Sequence, residues 1–159
     1  MTRRQLRTIH LSGAIIAQVV VGIFLIAAVV AEVSGDEAII AGVKGTVARF
    51  VFVLAPVMIV TGLSGRSLAG ESRAEIVVRK MRRMRLIGLN ALVVLVPCAM
   101  ALGRLAADRN FGTWFIALQS VELMAGCVNF TLLALNVRDG LALRPRRRRL
   151  RPREVGSEA

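Results

Sequence analysis

Four long apolar stretches, separated by clusters of arginine, constrain this chain more than any other feature. They cover residues 9–31, 46–65, 86–103 and 111–137, and the first of them carries no formal charge at neutral pH. A helix needs about 20 apolar residues to cross the hydrocarbon core of a bilayer. Backbone amides and carbonyls find no partner in lipid, so such stretches cross as hydrogen-bonded helices. The sequence therefore reads as an all-α integral membrane protein. An up-and-down four-helix bundle over residues 1–141 is followed by a disordered basic tail over 142–159.

Charge sets the orientation. The chain has 159 residues, 55% of them hydrophobic, yet 22 Lys and Arg against 10 Asp and Glu give a net charge of +12. In a water-soluble domain that surplus points to nucleic acid, but here its placement argues otherwise. Arg3, Arg4 and Arg7 precede the first stretch, and Arg66, Arg73, Arg79, Lys80, Arg82, Arg83 and Arg85 fill the second loop. The tail adds Arg138, Arg144, Arg146, Arg147, Arg148, Arg149, Arg151 and Arg153. The first loop is acidic on balance, with Glu32, Asp36 and Glu37 against Lys44, and the third is nearly neutral. Short Lys/Arg-rich loops remain on the cytoplasmic side, so both termini and the central loop are expected inside.

A cleaved signal peptide competes for the first stretch, but a signal core runs to roughly 7–15 apolar residues and this one is longer. Lysine occurs only at Lys44 and Lys80. That bias towards arginine suggests a GC-rich bacterial genome, and with it a multi-pass protein of the bacterial cell (inner) membrane. Trp114, the only tryptophan, falls at the expected outer start of the fourth span, where an indole anchors well.

Short outer loops make the first and second spans, and the third and fourth, antiparallel neighbours. Pro56 and Pro97 fall near mid-membrane at similar depth and read as a pair of packing kinks. Ser72 and Glu75 have the spacing of a capping box. The segment 72–85 that they open looks like a basic amphipathic helix lying along the inner leaflet. Polybasic segments beside a membrane attract anionic lipid at about 1 kcal/mol per residue. Arg79, Lys80, Arg82 and Arg83, with Arg146, Arg147, Arg148 and Arg149 of the tail, are the expected contacts for anionic headgroups. The tail has no aromatic residues to stack on bases, and nucleic acid is not an expected partner.

The fourth span carries the strongest functional signal. Gln119, Glu122, Gly126, Asn129, Leu133 and Asn136 recur every three or four residues and so share one helix face. A carboxylate at the depth of Glu122 must face the bundle interior, be protonated, or have a cationic partner. Depth arithmetic pairs His10 with Asn136 and Gln18 with Asn129 as two rungs between the first and fourth spans, with Gly22 near Glu122. Arg49 is the expected cation for Glu122, beside a water-filled pocket that includes Gln119. Intramembrane packing through hydrogen bonds accounts for the same residues without any pocket.

Cofactor chemistry has little support. His10 is the only histidine, so a bis-histidine haem is not available. Cys98 and Cys127 lie at comparable depth and could hold a soft metal such as Cu(I), but without a CxxC spacing they read as small buried hydrophobes. No phosphate-binding loop, nucleophile elbow or catalytic triad is present in the sequence. The expectation is a chain without metal or cofactor and without enzymatic activity.

Two segments carry a resemblance. One is Ile9-His10-Leu11-Ser12-Gly13-Ala14; the other runs from Gln119-Ser120-Val121-Glu122 through Asn136-Val137-Arg138-Asp139-Gly140-Leu141, where Gly140 can end the helix in a left-handed conformation. Together they resemble small bacterial four-span membrane proteins of unknown function, some of them grouped near the copper-resistance D type predicted membrane proteins. The resemblance covers two of the four spans and implies the four-span fold. One histidine and no methionine pairs in the membrane depart from a copper-handling pattern. Two function classes follow: an accessory or structural component that binds a partner subunit or lipid, or a small homo-oligomeric transporter handling protons or solute at Glu122.

Overall fold

The computed structural model is an up-and-down bundle of four helical crossings, each long and apolar enough to span a membrane. It describes residues 2–70 and 75–149, with side chains up to Gly140 in the last helix. Helix α1 (Arg3–Ser34) starts at Thr2, whose hydroxyl accepts from the Gln5 amide at 3.3 Å while Gln5 Oε1 accepts from the Thr2 amide at 2.8 Å. Two helix-end donors are satisfied reciprocally. The helix stops at Gly35, whose φ of 66° suits a residue with no Cβ to clash. Asp36 at once caps α2 (Glu37–Ala69), its Oδ1 accepting from the Ala38 amide at 2.7 Å. One glycine that ends a helix and one aspartate that begins the next close α1 and α2 into a hairpin. The first loop is thus far shorter than its charges imply, and Glu32, Glu37 and Lys44 are all helical.

The third crossing is one helical run, Glu75–Ala107, composed of α3 (Glu75–Asn90), a π segment (Ala91–Leu95) and α4 (Val96–Ala107). Pro97 lacks an amide hydrogen and its ring crowds the carbonyl four residues back. The helix widens just before it, so that the Val96 amide donates to the Ala91 carbonyl, and the crowding is absorbed. Pro56 lies inside α2, which continues unbroken. The two prolines are therefore not a matched pair: only Pro97 adjoins a change of helix type.

The basic segment 72–85 is not a separate surface helix. From Glu75 it is the opening of the third crossing and packs on α5 (Thr113–Arg149). Ser72 lies outside the described residues. Helix α5 passes Gly140 without a left-handed residue there, because the Leu and Ala that follow favour helix and one interior glycine costs only about 1 kcal/mol. It continues to Arg149, over the first part of the stretch expected to be disordered. Residues 150–159 lie outside the described residues, as do the side chains of Arg146, Arg147, Arg148 and Arg149 and the lipid contacts expected of them.

Around the bundle, α1 neighbours α2 and α5, while α4 neighbours the same two from the opposite corner. Helices α2 and α5 therefore face each other across a diagonal. Helix contacts rely on small residues: Ala17, Ala28, Ala31, Ala99 and Ala106 are buried. A Cβ on Gly103 would lie 2.7 Å from that of Ala48. Close backbone approach is how helices gain dispersion energy where lipid is as apolar as leucine. Large apolar side chains such as Ile15, Ile26, Phe52 and Leu92 point outward.

Candidate functional site

An ion pair lies between the helices, in the loop-side half of the bundle. Lys44 of α2 donates to Glu122 Oε2 of α5 at 2.5 Å, with side-chain exposures of 1% and 12%. The two sit at matching depths, about 10 Å and 14 Å along their helices from the loop end, at 1.5 Å per residue. The end of the bundle holding the α1–α2 and α4–α5 turns is called the loop end here, and the other the terminal end. Neighbouring helices pack 8–10 Å apart, so a diagonal is wider and needs two long side chains to cross it. Lysine and glutamate provide that reach. The pair is a cross-brace through the core.

Glu122 thus faces the interior and has a cationic partner, but the cation is not Arg49. Arg49 is exposed and its guanidinium folds back along its own helix to within 3.9 Å of where a Gly45 Cβ would stand. A helical side chain leans towards the helix N-terminus, and on this face that carries Arg49 towards the loop end and away from α5. Arg49, Gln119 and Glu122 do not converge on a pocket.

The expected face of α5 does turn inward: Gln119, Gly126, Asn129, Leu133 and Asn136 are all buried. The first and fourth spans do touch, yet in a register about one turn away from the expected rungs. Gly22 faces Phe130 and Leu25 faces Gly126, so Gln18 lies beyond the level of Asn129. His10 turns to α2 instead of Asn136. Its Nδ1–H donates to the Thr61 carbonyl at 2.9 Å, with Ser64 Oγ 3.5 Å away. Gly65 makes room for the ring, since a Cβ there would stand 2.7 Å from His10 Cε1. The reason for the shift is that the two-residue turn between α1 and α2 fixes the height of α1.

Asn129 bonds to the third crossing. Asn90 Nδ2 donates to Asn129 Oδ1 and to the Ala125 carbonyl, each at 2.9 Å, and Asn129 Nδ2 donates to the Ile87 carbonyl at 3.4 Å. Asn90 immediately precedes the π segment. Both side-chain polar atoms of Gln119 and of Asn136 are buried without a hydrogen-bond partner among the described residues, as are Gln18 Oε1 and Glu32 Oε1. Following the α1–α5 register towards the loops sets Glu32 level with Gln119. Cys98 is buried and Cys127 is on the outer face, so the two thiols do not meet.

A second cluster occupies the terminal end. Asp139 accepts from Arg83 Nη1 at 2.7 Å, and Arg79 and Arg138 each place Nε 3.8 Å from its carboxylate. Lys80 Nζ packs over Gly140, 3.2 Å from where a Cβ would be. Shallow grooves line α1 at Arg4, Gln5, Thr8 and Ile9, about 410 Å³, and α5 at Cys127, Val128, Thr131 and Leu132, about 270 Å³. Neither is lined by Lys44 or Glu122.

No match is found. Family models, curated proteins and solved structures all fail to pair with this chain.

The sequence pointed to Glu122 and to the interior face of α5, and missed Lys44, Asn90 and Asp139 as partners. Ser34-Gly35-Asp36 was the available signal for Lys44: a hairpin turn there begins the second helix at residue 37, which places Lys44 two turns inside it. Asn90, four residues after Leu86 within an apolar run, was visible as the one strongly polar residue of its span.

Proposed function

We propose that this chain is an accessory or structural component of the bacterial cell membrane. It is a non-enzymatic four-span bundle with both termini cytoplasmic, whose outer surface meets lipid or a partner subunit. The observation that carries the reading is the Lys44–Glu122 pair, which joins two diagonal helices through the core and leaves Lys44 1% exposed. A charge satisfied so directly specifies which helices pack and at what height; it leaves no free group for binding or transfer. Buried ion pairs contribute little net stability but are costly to break, because a charge left alone in a membrane is itself costly. The Asn90–Asn129 network acts in the same way one layer deeper, fixing the third crossing against α5.

A second reading has one observation in its favour. Gln119 lies one turn from Glu122 with both amide atoms unpartnered, level with the unpartnered Glu32 Oε1. Such a polar patch beside an ion pair fits a small oligomeric transporter or proton-handling protein that admits water from the loop end.

Cysteine labelling separates the two. Gln119→Cys is placed in the full chain with Cys98→Ala and Cys127→Ser, and treated with a membrane-impermeant maleimide in vesicles. Asp108→Cys, at the exposed turn, is the reactive control. The structural reading expects Asp108→Cys to label and Gln119→Cys to stay unreactive until the protein is unfolded. Labelling of Gln119→Cys in the folded protein at a rate near that of the control would replace it with the transport reading.

A further inference from the structure

We propose that Lys80, Arg79 and Arg138, held on the frame of the Arg83–Asp139 ion pair, form a site for the phosphate of an anionic phospholipid. The inference deepens the lipid-binding part of the proposed function by naming the site and the headgroup chemistry.

The cluster brings four cations around one carboxylate: Arg79, Lys80, Arg83 and Arg138 against Asp139. Among the described residues only Arg83 is within hydrogen-bonding distance of that carboxylate, at 2.7 Å. Arg79 and Arg138, at 3.8 Å, are drawn towards Asp139 without spending their donors on it, since an N–H···O bond closes at 2.7–3.2 Å. They are also half or more exposed, at 51% and 72% of the side chain. Lys80 is partly buried against α5, where Gly140 has no Cβ to displace it, and it makes no ion pair among the described residues. Glu75, the nearest acid along α3, makes none either among the described residues. One carboxylate answers four cations there, so a second anion that joins the group is favourable.

Depth selects the kind of anion. Lys80 lies about 40 Å from the loop end of its helical run at 1.5 Å per residue, and the bilayer with its headgroups is about 40–45 Å thick. The cluster is therefore level with the phosphates of one leaflet when the loop end is level with those of the other. Arginine and lysine together suit a phosphodiester, the guanidinium by two parallel donors and the ammonium as a point charge. Residues 79, 80 and 83 share the α3 face that meets α5, whereas Arg82 and Arg85 are exposed on another. The site is thus distinct from the general positive charge of the helix.

The test is native mass spectrometry of the full chain in detergent, titrated with phosphatidylglycerol and, in parallel, with phosphatidylcholine. Lys80→Met is expected to weaken phosphatidylglycerol binding about fivefold, and Arg82→Met, which removes the same charge, by less than about twofold. Arg138→Met, at an exposed position, is expected to follow Lys80→Met and keeps the test open if that variant does not fold. Equal losses at positions 80, 82 and 138 would show diffuse attraction and overturn the site. Inorganic phosphate that displaces phosphatidylglycerol mole for mole would overturn the lipid as its ligand. Either failure leaves the labelling of Gln119→Cys unaffected, so the structural reading stands or falls separately.

Discussion

Glu122 and Asp139 share one helix, α5, and meet opposite electrostatic conditions. Glu122 has a single cation, Lys44, at 2.5 Å across the core, whereas Asp139 has Arg83 at 2.7 Å with Arg79, Arg138 and Lys80 around it at the bundle's edge. At the centre each charge answers one charge, because a surplus there would be stranded in a low dielectric. At the edge water and headgroups tolerate a surplus, and the acid serves to gather cations rather than to cancel them. The two acids are similarly buried, with side chains 12% and 8% exposed, so it is the exposure of the cations, 1% for Lys44 against 51% and 72% for Arg79 and Arg138, that lets Asp139 gather a surplus.

Removing one partner from each cluster should therefore have very unequal effects. The largest is expected for Glu122→Leu, which strands Lys44 and should cost about 3–5 kcal/mol of stability, measured by thermal or denaturant unfolding in detergent. The double variant Lys44→Met with Glu122→Leu should recover most of that loss. If it remains as unstable as Glu122→Leu alone, the pair is not the brace described here. Glu122→Asp sharpens the geometry. One methylene shorter, it cannot close the diagonal, and it should destabilise nearly as much as the leucine although it keeps the charge.

Next in size is Gly65→Ala, which drives a Cβ into the His10 ring and should cost about 1–3 kcal/mol. Combining it with His10→Ala should return the protein towards its original stability. Asn90→Leu breaks the bond to Asn129 and should cost about 0.6–1.7 kcal/mol, the range of interhelical hydrogen bonds in membranes. The smallest effect is expected at the edge. Asp139→Asn, which keeps an acceptor for Arg83, should lower the unfolding temperature less than any of these. Added salt should weaken the attraction of the exposed Arg79 and Arg138 but leave most of the Arg83 share, because a pair that is 16% and 8% exposed is poorly screened. A loss there as large as that of Glu122→Leu would erase the distinction between centre and edge.

The four crossings were legible because a run of apolar residues has one outcome in a bilayer, and the inward face of α5 was legible because polar residues recur at helical spacing. The register of that face was not. Rungs such as Gln18 with Asn129 assume that every helix starts where its apolar run starts. In the structure the caps decide: Thr2, Gly35 and Asp36 set the heights of α1 and α2, and the α1–α5 contact slides by about a turn. The same assumption hid Lys44. Ending the second span at its first charges left that lysine in a loop, when Ile40 and Lys44 share the buried side of α2. Asn90 escaped because a lone amide has no periodicity to betray it; its role depends on Asn129 and the Ala125 carbonyl across the interface.

The diagonal brace also dictates a timetable for biogenesis. Lys44 and Glu122 are 78 residues apart, and Glu122 lies in the fourth crossing, which leaves the ribosome after the first hairpin. Synthesis at roughly 5–20 residues per second separates the two by about 4–16 s. Throughout that interval the first hairpin holds a lysine with no counterion about 10 Å inside its helix, where the cost stays below the roughly 2.5–3.5 kcal/mol of a charge at the bilayer centre. The hairpin therefore carries an unmatched charge until the fourth crossing arrives, and its final packing waits on one glutamate.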